Sequence, residues 1–404
     1  MADIAQTAMV RRASIKDATD TRAPSDAAAP RRPPFTPITE IAVDPWQSLA
    51  ERAIEPNGYY LPEWELAVNA SAQGRTDSSA LSAWRDDRLI GLLPAISLWR
   101  AYRIPLPALV SAHPYGTLCV PPLDRDMVTD AAAQLMQQAR KAGAHALILR
   151  DTSLDGAAMQ SFAEVLQRDG LRPQTLHSNL RACLDATRDA DALLHDALGT
   201  KKLKELRRLR HRLAEHGAIR FDVARSPRDV AAALETFLAL EASGWKGARG
   251  TALAQNDGDV RFIRRATTAL AASNQCEIVT LRAGDTPVAA GIVLRHQDRA
   301  FFFKIGVDAR FAKFSPGVQL TLELTRHLCA DPTIASADST ASPDHPMINP
   351  IWRGRFAIGD VLIPLRSGDP VVAMIRTALS LRKLARQTAR RALQFIRKRR
   401  QHSA

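Results

Sequence analysis

One stretch of the sequence, residues 301–352, limits the fold and the function more than any other. It begins with an apolar run, 301–307, that has the composition of a buried strand. After a polar turn, Ser315-Pro316-Gly317 opens a helix predicted over 318–330, because proline fits a first helical turn and serine commonly precedes it. A short strand is predicted over 334–338. This order predicts a sheet with a helix N-terminus at its edge, where an anion can bind.

The Ser315-Pro316-Gly317 turn is the first candidate binding element. A helix N-terminus exposes unpaired N–H groups and the positive end of the helix dipole. Gly317 lets a phosphate approach the backbone, and Lys304 and Lys313 can add positive charge. A pyrophosphate-bearing cofactor would suit this place, although the patterns GxGxxG and GxxxxGK[ST] are absent. An ordinary helix cap is the alternative interpretation.

Proton chemistry is assigned to acidic residues and a histidine near the end of the same stretch. Asp338 ends the short strand, and Asp344-His345 lies between two prolines that stiffen the loop. A neutral histidine can accept a proton from an amine or a hydroxyl, and a neighbouring aspartate can fix its tautomer. Asp308 can hold a basic substrate group, but we favour a turn cap there. A capping role is the alternative for Asp344 as well.

A glycine-rich segment, 244–251, can close over a substrate. Trp245 would supply a flat apolar wall and Lys246 a positive charge, and the alternative is a helix C-terminus with an anchored tryptophan. The sequence contains no serine or cysteine nucleophile elbow, no HExxH pattern and no carboxylate cluster, so we predict no metal site.

The positive charge is unevenly placed along the chain. The net charge is +13, and residues 370–404 contribute +10 of it because they hold ten Lys/Arg and no Asp/Glu. An amphipathic helix predicted over 371–401 can lie on an anionic bilayer. A second basic run, 201–212, lies on a helix predicted over 193–217. Solvated helix faces are the alternative for both, and RNA contact is possible but not favoured.

Domain organisation follows from shifts in composition and from a weak internal repeat. Both halves run through helices, a hairpin, a strand, a helix and a short strand, which suggests two copies of one fold. The predicted parts are a disordered arm (1–40), a first domain (41–185), a basic connecting helix (186–217), a second domain (218–368) and a basic tail (369–404). Within the second domain, Ser226-Pro227 is predicted to begin a helix that runs through residue 243, and residues 361–365 are predicted to close the sheet. Four cysteines without CxxC spacing, and no apolar run of about 18 residues, lead us to expect a cytoplasmic protein.

Three stretches of the second predicted domain resemble the GNAT acyltransferase superfamily. They are 241–253, 304–317 and 338–348 ahead of Trp352. More narrowly, they resemble the branch named for cellulose-biosynthesis acetyltransferases, which is similar to the Fem-type peptidyltransferases in having tandem GNAT-like domains. The resemblance implies an α+β fold, with two such domains built on mixed central sheets flanked by helices.

The resemblance also implies a donor, an acceptor and a set of contacts. Acetyl-CoA or another acyl-CoA would bind at a splayed strand, against Ile305, Val307, Ser315, Pro316, Gly317 and Val318. The acyl group would pass directly to an amine or hydroxyl of a sugar or polysaccharide precursor, with substrate contacts from Trp245, Lys246, Lys304 and Asp308.

Two alternatives to this reaction stay open. The usual GNAT cofactor loop reads Gln/Arg-x-x-Gly-x-Gly/Ala, and here Phe314-Ser315-Pro316-Gly317 replaces it. Fem-type relatives with a similar arrangement use aminoacyl-tRNA as the donor. A non-catalytic scaffold of exopolysaccharide synthesis is the third hypothesis.

Overall fold

The computed structural model describes residues 33–244 and 250–402, with side chains up to residue 389. Its backbone is one mixed sheet of 12 strands with helices packed on it, which confirms the predicted α+β fold. The glycine-rich residues 245–249, including Trp245 and Lys246, lie outside the described residues, as does most of the predicted N-terminal arm.

The first half of the described chain supplies six strands and five helices. They are β1 (Thr36–Pro37), α1 (Val43–Glu51), α2 (Pro62–Ser71), β2 (Ser79–Arg85), β3 (Arg88–Ser97), α3 (Leu98–Tyr102), β4 (Ala108–Ser111), α4 (Val128–Lys141), β5 (Ala146–Ser153), α5 (Ala157–Arg168) and β6 (Gln174–Asp185). The prediction that residues 1–40 form a disordered arm is wrong for the last of them, because β1 pairs with β2 and Ile38 is fully buried. An apolar side chain that fills a core position orders the short segment around it.

The second half of the described chain supplies the remaining elements. They are α6 (Ala190–Ala214), β7 (Ile219–Ala224), α7 (Pro227–Ser243), α8 (Asp257–Ala272), β8 (Cys276–Ala283), β9 (Thr286–His296), β10 (Arg299–Val307), α9 (Pro316–Cys329), β11 (Ser336–Asp338), β12 (Gly354–Pro364) and α10 (Pro370–His402). Local sequence explains their starts: Ser226 caps α7 ahead of Pro227, and Asn256 caps α8.

The sheet runs through both predicted domains in the order β1-β2-β3-β4-β5-β12-β6-β11-β10-β9-β8-β7. Residues 361–365 were expected to close the sheet of the second domain, and this is wrong. They belong to β12, which lies between β5 and β6 of the first half. In turn β6, a strand that the sequence did not predict, pairs with β11. The two halves therefore exchange strands at the centre of the sheet.

An aromatic cluster fastens loops of the first half to β10. Phe301 and Phe303 meet Tyr59, with ring centroids 5.6 and 6.0 Å apart. Trp64 of α2 packs edge-on against Phe303 at 5.0 Å. Tyr115 stacks on Phe262 of α8 at 4.9 Å. Such pairs combine large apolar burial with a fixed geometry, so they hold residues 57–64 and 112–120 against the strand.

Helices of the described chain contain no apolar stretch long enough to cross a bilayer. Within the same residues, no group of three or more His, Cys, Asp or Glu side chains is arranged to hold a metal ion.

Candidate active site

The candidate site lies at the place where the pairing of β10 and β11 ends. The two strands pair in parallel over three positions, from Arg299↔Ser336 to Phe301↔Asp338. Beyond that pair β10 continues to Val307 and keeps its register with β9. A β-bulge between Phe302 and Lys304 adds twist at the point of separation. A splayed strand before the helix of residues 316–329 is what the resemblance implied, and we call this gap the β10/β11 opening.

One wall of the opening is apolar and collects the predicted cofactor residues. A Cβ atom built on Gly317 would lie 3.2 Å from Val307 and 3.5 Å from Ile305, so these three positions adjoin one another. Met347 reaches the same spot from the loop after β11, with its Sδ atom 3.1 Å from that Cβ. A side chain at position 317 would displace these neighbours, which explains the glycine.

The start of α9 differs from a simple serine cap. Ser315 takes a left-handed conformation with φ of 53°, and its side chain makes no capping hydrogen bond. Pro316 occupies the first helical turn and is buried, and Val318 is half-buried. The backbone reversal at Ser315 therefore turns the chain from the preceding 3-10 helix, Ala309–Phe314, directly into α9.

The other wall of the opening is polar, and Lys304 is its central group. The Lys304 ammonium lies 3.4 Å from the Glu241 carboxylate and keeps about a fifth (21%) of its side chain exposed. It also lies 5.9 Å from the centroid of the Tyr115 ring. Tyr115 donates from its hydroxyl to Asp259 at 2.5 Å. Burial, reinforced by Asp259, raises the pKa of Tyr115, so the phenol stays protonated at neutral pH.

Asp338 is not placed as a free general base. It is buried at the end of β11, and its Oδ2 atom accepts from the Arg181 guanidinium at 2.6 Å. Its Oδ1 atom accepts from the Thr340 N–H at 2.8 Å. Arg181 also donates to the carbonyl and hydroxyl of Thr117. A carboxylate occupied in this way aligns Arg181 and the loop after β11, and a catalytic role remains a prediction.

Two buried polar groups near Asp338 have no hydrogen-bond partner among the described residues. They are the Tyr59 hydroxyl and the Arg181 Nε atom. Burial raises the pKa of Tyr59, and the negative charge of Asp338 adds to the shift. Native proteins leave few such groups unpaired, and those that occur often mark sites for a ligand or water. Both lie where β11 leaves β10.

The remaining predicted residues have separate positions. Asp308 caps the 3-10 helix by accepting from the Arg310 N–H, and it is paired with the Arg310 guanidinium at 2.7 Å. This arrangement is the turn cap favoured from the sequence. Asp344 is exposed, and His345 is half-buried with its Nδ1 atom accepting from the Ile348 N–H. Both belong to the loop that brings Met347 to Gly317.

Several residues at the opening were not identified from the sequence. Arg181 and Tyr115 come from the first half, and their roles depend on strand exchange and loop contacts. Glu241 is the first residue of the stretch 241–253, which resembles the GNAT superfamily, but the sequence analysis gave it no role. A signal existed for Arg181, because it is a charged residue in the otherwise apolar end of β6, and such residues are almost never buried unpaired.

The arrangement can position a carbonyl group beside a cation. Lys304 is partly buried, so its charge acts on a neighbouring oxygen more strongly than it would in water. The apolar wall of Ile305, Val307 and Gly317 can take the chain of a thioester or ester donor. Charge stabilisation and positioning are the two contributions that such a site supplies to acyl transfer.

Comparison with known proteins agrees with this geometry. Residues 200–344 match the family model described as an acetyltransferase (GNAT) domain. This match includes the β10/β11 opening, Lys304 and α9, and it supports an acyltransferase of the GNAT type. No curated protein sequence matches the chain.

Solved structures share the fold at low sequence identity. The C-terminal domain of a lysylphosphatidylglycerol synthetase from Agrobacterium fabrum is 14% identical, with a TM-score of 0.51 over 83% of this chain and 95% of that one. FemX is 12% identical, with a TM-score of 0.52 over 83% of this chain and 98% of its own. A tandem GNAT protein from the clavulanic acid pathway is 15% identical, with a TM-score of 0.40 over 83% and 99%. At these identities the likeness concerns the fold alone.

Proposed function

We propose that the chain transfers an acyl or aminoacyl group from a polyanionic donor to an amine or hydroxyl acceptor at the β10/β11 opening. The acceptor nitrogen or oxygen forms a bond to the acyl carbon, the bond from that carbon to the donor sulfur or oxygen breaks, and the acceptor loses a proton. Lys304 would stabilise the negative charge that develops on the carbonyl oxygen. The observation that carries this proposal is the opening itself, with a cation on one wall.

The general base of the reaction is proposed on the loop after β11. His345 is half-buried there, two residues from Met347, which reaches Gly317. A neutral histidine can take the proton from an amine or a hydroxyl. Asp344 precedes it on the exposed side of the loop. Asp338 is the weaker candidate because Arg181 and Thr340 already occupy its oxygens.

The basic side of α6 supports a polyanionic donor. Leu206 of α6 accepts a hydrogen bond from Gln319 of α9 at 2.8 Å, and Arg212 lies over the Phe314 ring just before α9 begins. Exposed cations therefore flank the predicted donor site: Lys201, Lys202, Lys204, Arg207 and Arg208. Twelve helical residues, 201–212, span about 18 Å at 1.5 Å per residue, which is longer than one diphosphate. A run of this length can contact several phosphates, which suits aminoacyl-tRNA and also the 3′-phospho-ADP part of an acyl-CoA.

Salt dependence separates the two donors. We expect Lys201→Gln/Lys202→Gln/Lys204→Gln to weaken tRNA binding and to lower the slope of log affinity against log salt by about 2, since each phosphate contact contributes about 0.7–0.9. Transfer from aminoacyl-tRNA and from acetyl-CoA should be measured on the same preparations. The matched control is Arg85→Gln/Arg172→Gln/Arg228→Gln, three exposed cations on other elements.

Each outcome of this comparison has a defined meaning. Transfer from acetyl-CoA that the triple variant leaves unchanged would support the acyl-CoA donor. Absence of transfer from either donor, to any amine or hydroxyl acceptor tried, would contradict catalysis and favour a non-catalytic scaffold. A saccharide acceptor and a place in cellulose or exopolysaccharide synthesis are proposals that the sequence resemblance alone supports. The name of one structural neighbour instead points to an aminoacylated anionic lipid.

We propose that α10 makes a peripheral contact with an anionic membrane, at the inner face of that membrane. Val372 and Ile375 of α10 are buried against α3 and the sheet. Farther along, Leu381 and Leu384 are exposed by 62% and 58%. Basic side chains lie around them, and residues 370–404 contain no Asp or Glu. Apolar side chains surrounded by lysine and arginine are typical of helices that lie on anionic bilayers.

Polar replacement of these leucines tests the contact. Leu381→Gln/Leu384→Gln should reduce binding to vesicles of phosphatidylcholine and phosphatidylglycerol by about tenfold or more, because inserted leucines each contribute on the order of 1.5 kcal/mol. The matched control is Leu180→Gln, since Leu180 is also exposed (56%) but lies on β6. Equal binding of the double variant and the control would exclude this surface.

A further inference from the structure

A cleft in the first half has an excess of positive charge. It has a volume of about 260 Å³ and lies between residues 74–78, the start of α3, the end of β4 and β5. Three arginines line it, Arg75, Arg100 and Arg150, together with His113 and the Thr76 backbone and side chain. No aspartate or glutamate is among its lining residues. A concave surface with three guanidinium groups and no carboxylate attracts anions.

Protein groups neutralise little of this charge. Arg150 donates from Nε and Nη2 to the Ser111 carbonyl, at 3.1 and 2.7 Å. Arg75 donates to the Gln73 carbonyl at 3.0 Å and to His113 Nδ1 at 3.4 Å. Among the residues that the structure describes, neither arginine has a carboxylate within ion-pair distance. These acceptors orient the guanidinium groups but carry no net charge.

Within the part of the chain that the structure describes, Arg100 is the one of the three arginines that forms an ion pair. It donates to the backbone carbonyls of Thr76 and Asp77. The Asp77 carboxylate lies 3.5 Å from it, but 84% of that side chain is exposed, so water screens the pair. Three guanidinium groups therefore line the cleft, with one screened ion pair and with the Asp151 charge acting on Arg150 from outside the cleft lining.

His113 positions Arg75 without adding charge. Burial, with the positive charges of Arg75 and Arg150, lowers the pKa of His113 to about 3, so the ring is neutral at physiological pH. Its Nδ1 atom accepts from Arg75 Nε and also from the Tyr115 N–H at 3.1 Å. The imidazole thus connects the cleft to the loop that carries Tyr115.

Tyr115 is shared by the cleft and the β10/β11 opening. The Arg75 guanidinium lies 4.3 Å from the centroid of the Tyr115 ring, and the Lys304 ammonium lies 5.9 Å from the same centroid. Tyr115 thus contacts one cation of each place, and an acceptor with its anionic group in the cleft would have to pass this ring to reach Lys304. The distance across one aromatic ring is short enough for a small acceptor to span.

We infer that this cleft binds a phosphate group, and that the phosphate belongs to the acceptor of the transfer. Guanidinium groups are the side chains that best match phosphate oxygens, and three of them line this cleft. A free phosphate ester and a phospholipid headgroup share this chemistry. The assignment to the acceptor rests on the proposed function, whereas phosphate binding by the cleft does not.

Binding measurements on the full chain test the inference without relying on activity. Calorimetry with inorganic pyrophosphate and with glycerol 3-phosphate should show saturable binding that weakens about tenfold or more in Arg75→Gln and in Arg100→Gln. Arg75 is half-buried and Arg100 is exposed, so these variants are expected to fold. Arg150 is left out of the first test because its Nε and Nη2 atoms both hold the Ser111 carbonyl. Arg85→Gln, an exposed arginine on β2, removes the same charge elsewhere and should bind like the parent.

A second arm identifies the source of the phosphate. Vesicles of phosphatidylcholine with and without phosphatidylglycerol should be compared with the soluble esters. Soluble-ester binding that Arg75→Gln weakens assigns a free phosphate ester. Vesicle binding that needs phosphatidylglycerol, and that is weaker in Arg75→Gln than in Arg85→Gln, assigns a lipid headgroup.

Two results would overturn the inference. One is that neither the soluble phosphates nor the vesicles bind, and the other is that Arg75→Gln and Arg85→Gln bind them with equal affinity. Binding without any acyl transfer would contradict the proposed function and leave the phosphate site standing.

Discussion

Replacement of Asp338 by alanine is expected to lower the free energy of unfolding by about 3–5 kcal/mol, measured by urea denaturation. Asp338 and Arg181 form an ion pair at 2.6 Å in which the two side chains are 1% and 3% exposed. Removal of the carboxylate leaves a buried guanidinium without its counter-charge, next to an Nε atom that already has no partner. The strand pairs Asp338↔Cys183 and Phe301↔Asp338 should loosen together, because this residue joins β6, β11 and β10.

A charge-free pair provides the control for this prediction. Arg181→Met/Asp338→Leu replaces both ions with apolar side chains, and such replacements are often neutral or stabilising. We therefore expect the double variant to recover most of the stability that Asp338→Ala loses. The free energy of unfolding of Asp338→Ala could instead lie within about 1 kcal/mol of the parent value. In that case the buried pair does not contribute as its geometry indicates, and the assignment of Asp338 as a positioning residue would be wrong.

The sequence predicted those parts of the fold that local patterns determine. Apolar runs and capping residues identified the strand at 301–307, α7 with Ser226 and Pro227, and the helix after Ser315-Pro316-Gly317. Each of these depends on neighbours within a few residues of the chain. The resemblance added a splayed strand as the donor site, and the pairing of β10 and β11 ends at Phe301↔Asp338, ahead of the positions that the resemblance implied.

Long-range pairing explains what the sequence did not predict. Residues of β6 mix polar and apolar types without a regular period, and several are exposed, so no long apolar run marks the strand. β12 was assigned to its own half because sequence neighbours usually pair, yet it lies between β5 and β6. Once the halves exchange strands, Arg181 is brought to Asp338 across 157 residues of sequence. No local pattern encodes that contact.

The same reasoning applies to the polar wall of the site. Lys304 was selected because it can add positive charge near the Ser315-Pro316-Gly317 turn, but its partners Glu241 and Tyr115 come from α7 and from the loop after β4. The bulge before Lys304 changes the register of β10 and is not visible in the sequence. Asp308 shows the opposite case, since a turn cap needs only the next two residues and was favoured correctly.

Replacement of Lys304 by methionine is expected to lower kcat for acyl transfer by about 10²–10³, because a cation beside the carbonyl oxygen acts mainly on the transition state. Methionine keeps most of the apolar stem that lies near Phe303 and Tyr115, so packing at the opening should be retained. Lys304→Arg preserves the charge and should retain far more activity than Lys304→Met. Single-turnover rates with saturating donor measure the chemical step directly.

Stability must be separated from catalysis in this test, since Lys304→Met also removes one counter-charge from the buried Glu241 carboxylate. Glu241 keeps its hydrogen bond from the Leu253 N–H at 2.9 Å, and glutamine can accept that bond equally well. Glu241→Gln/Lys304→Met therefore carries no uncompensated carboxylate and should unfold near the parent temperature while it remains as slow as Lys304→Met. A folded double variant that transfers at the parent rate would exclude a role for Lys304 in the reaction. A slow double variant with unchanged donor affinity would place its contribution in the transition state, where the geometry of the opening predicts it.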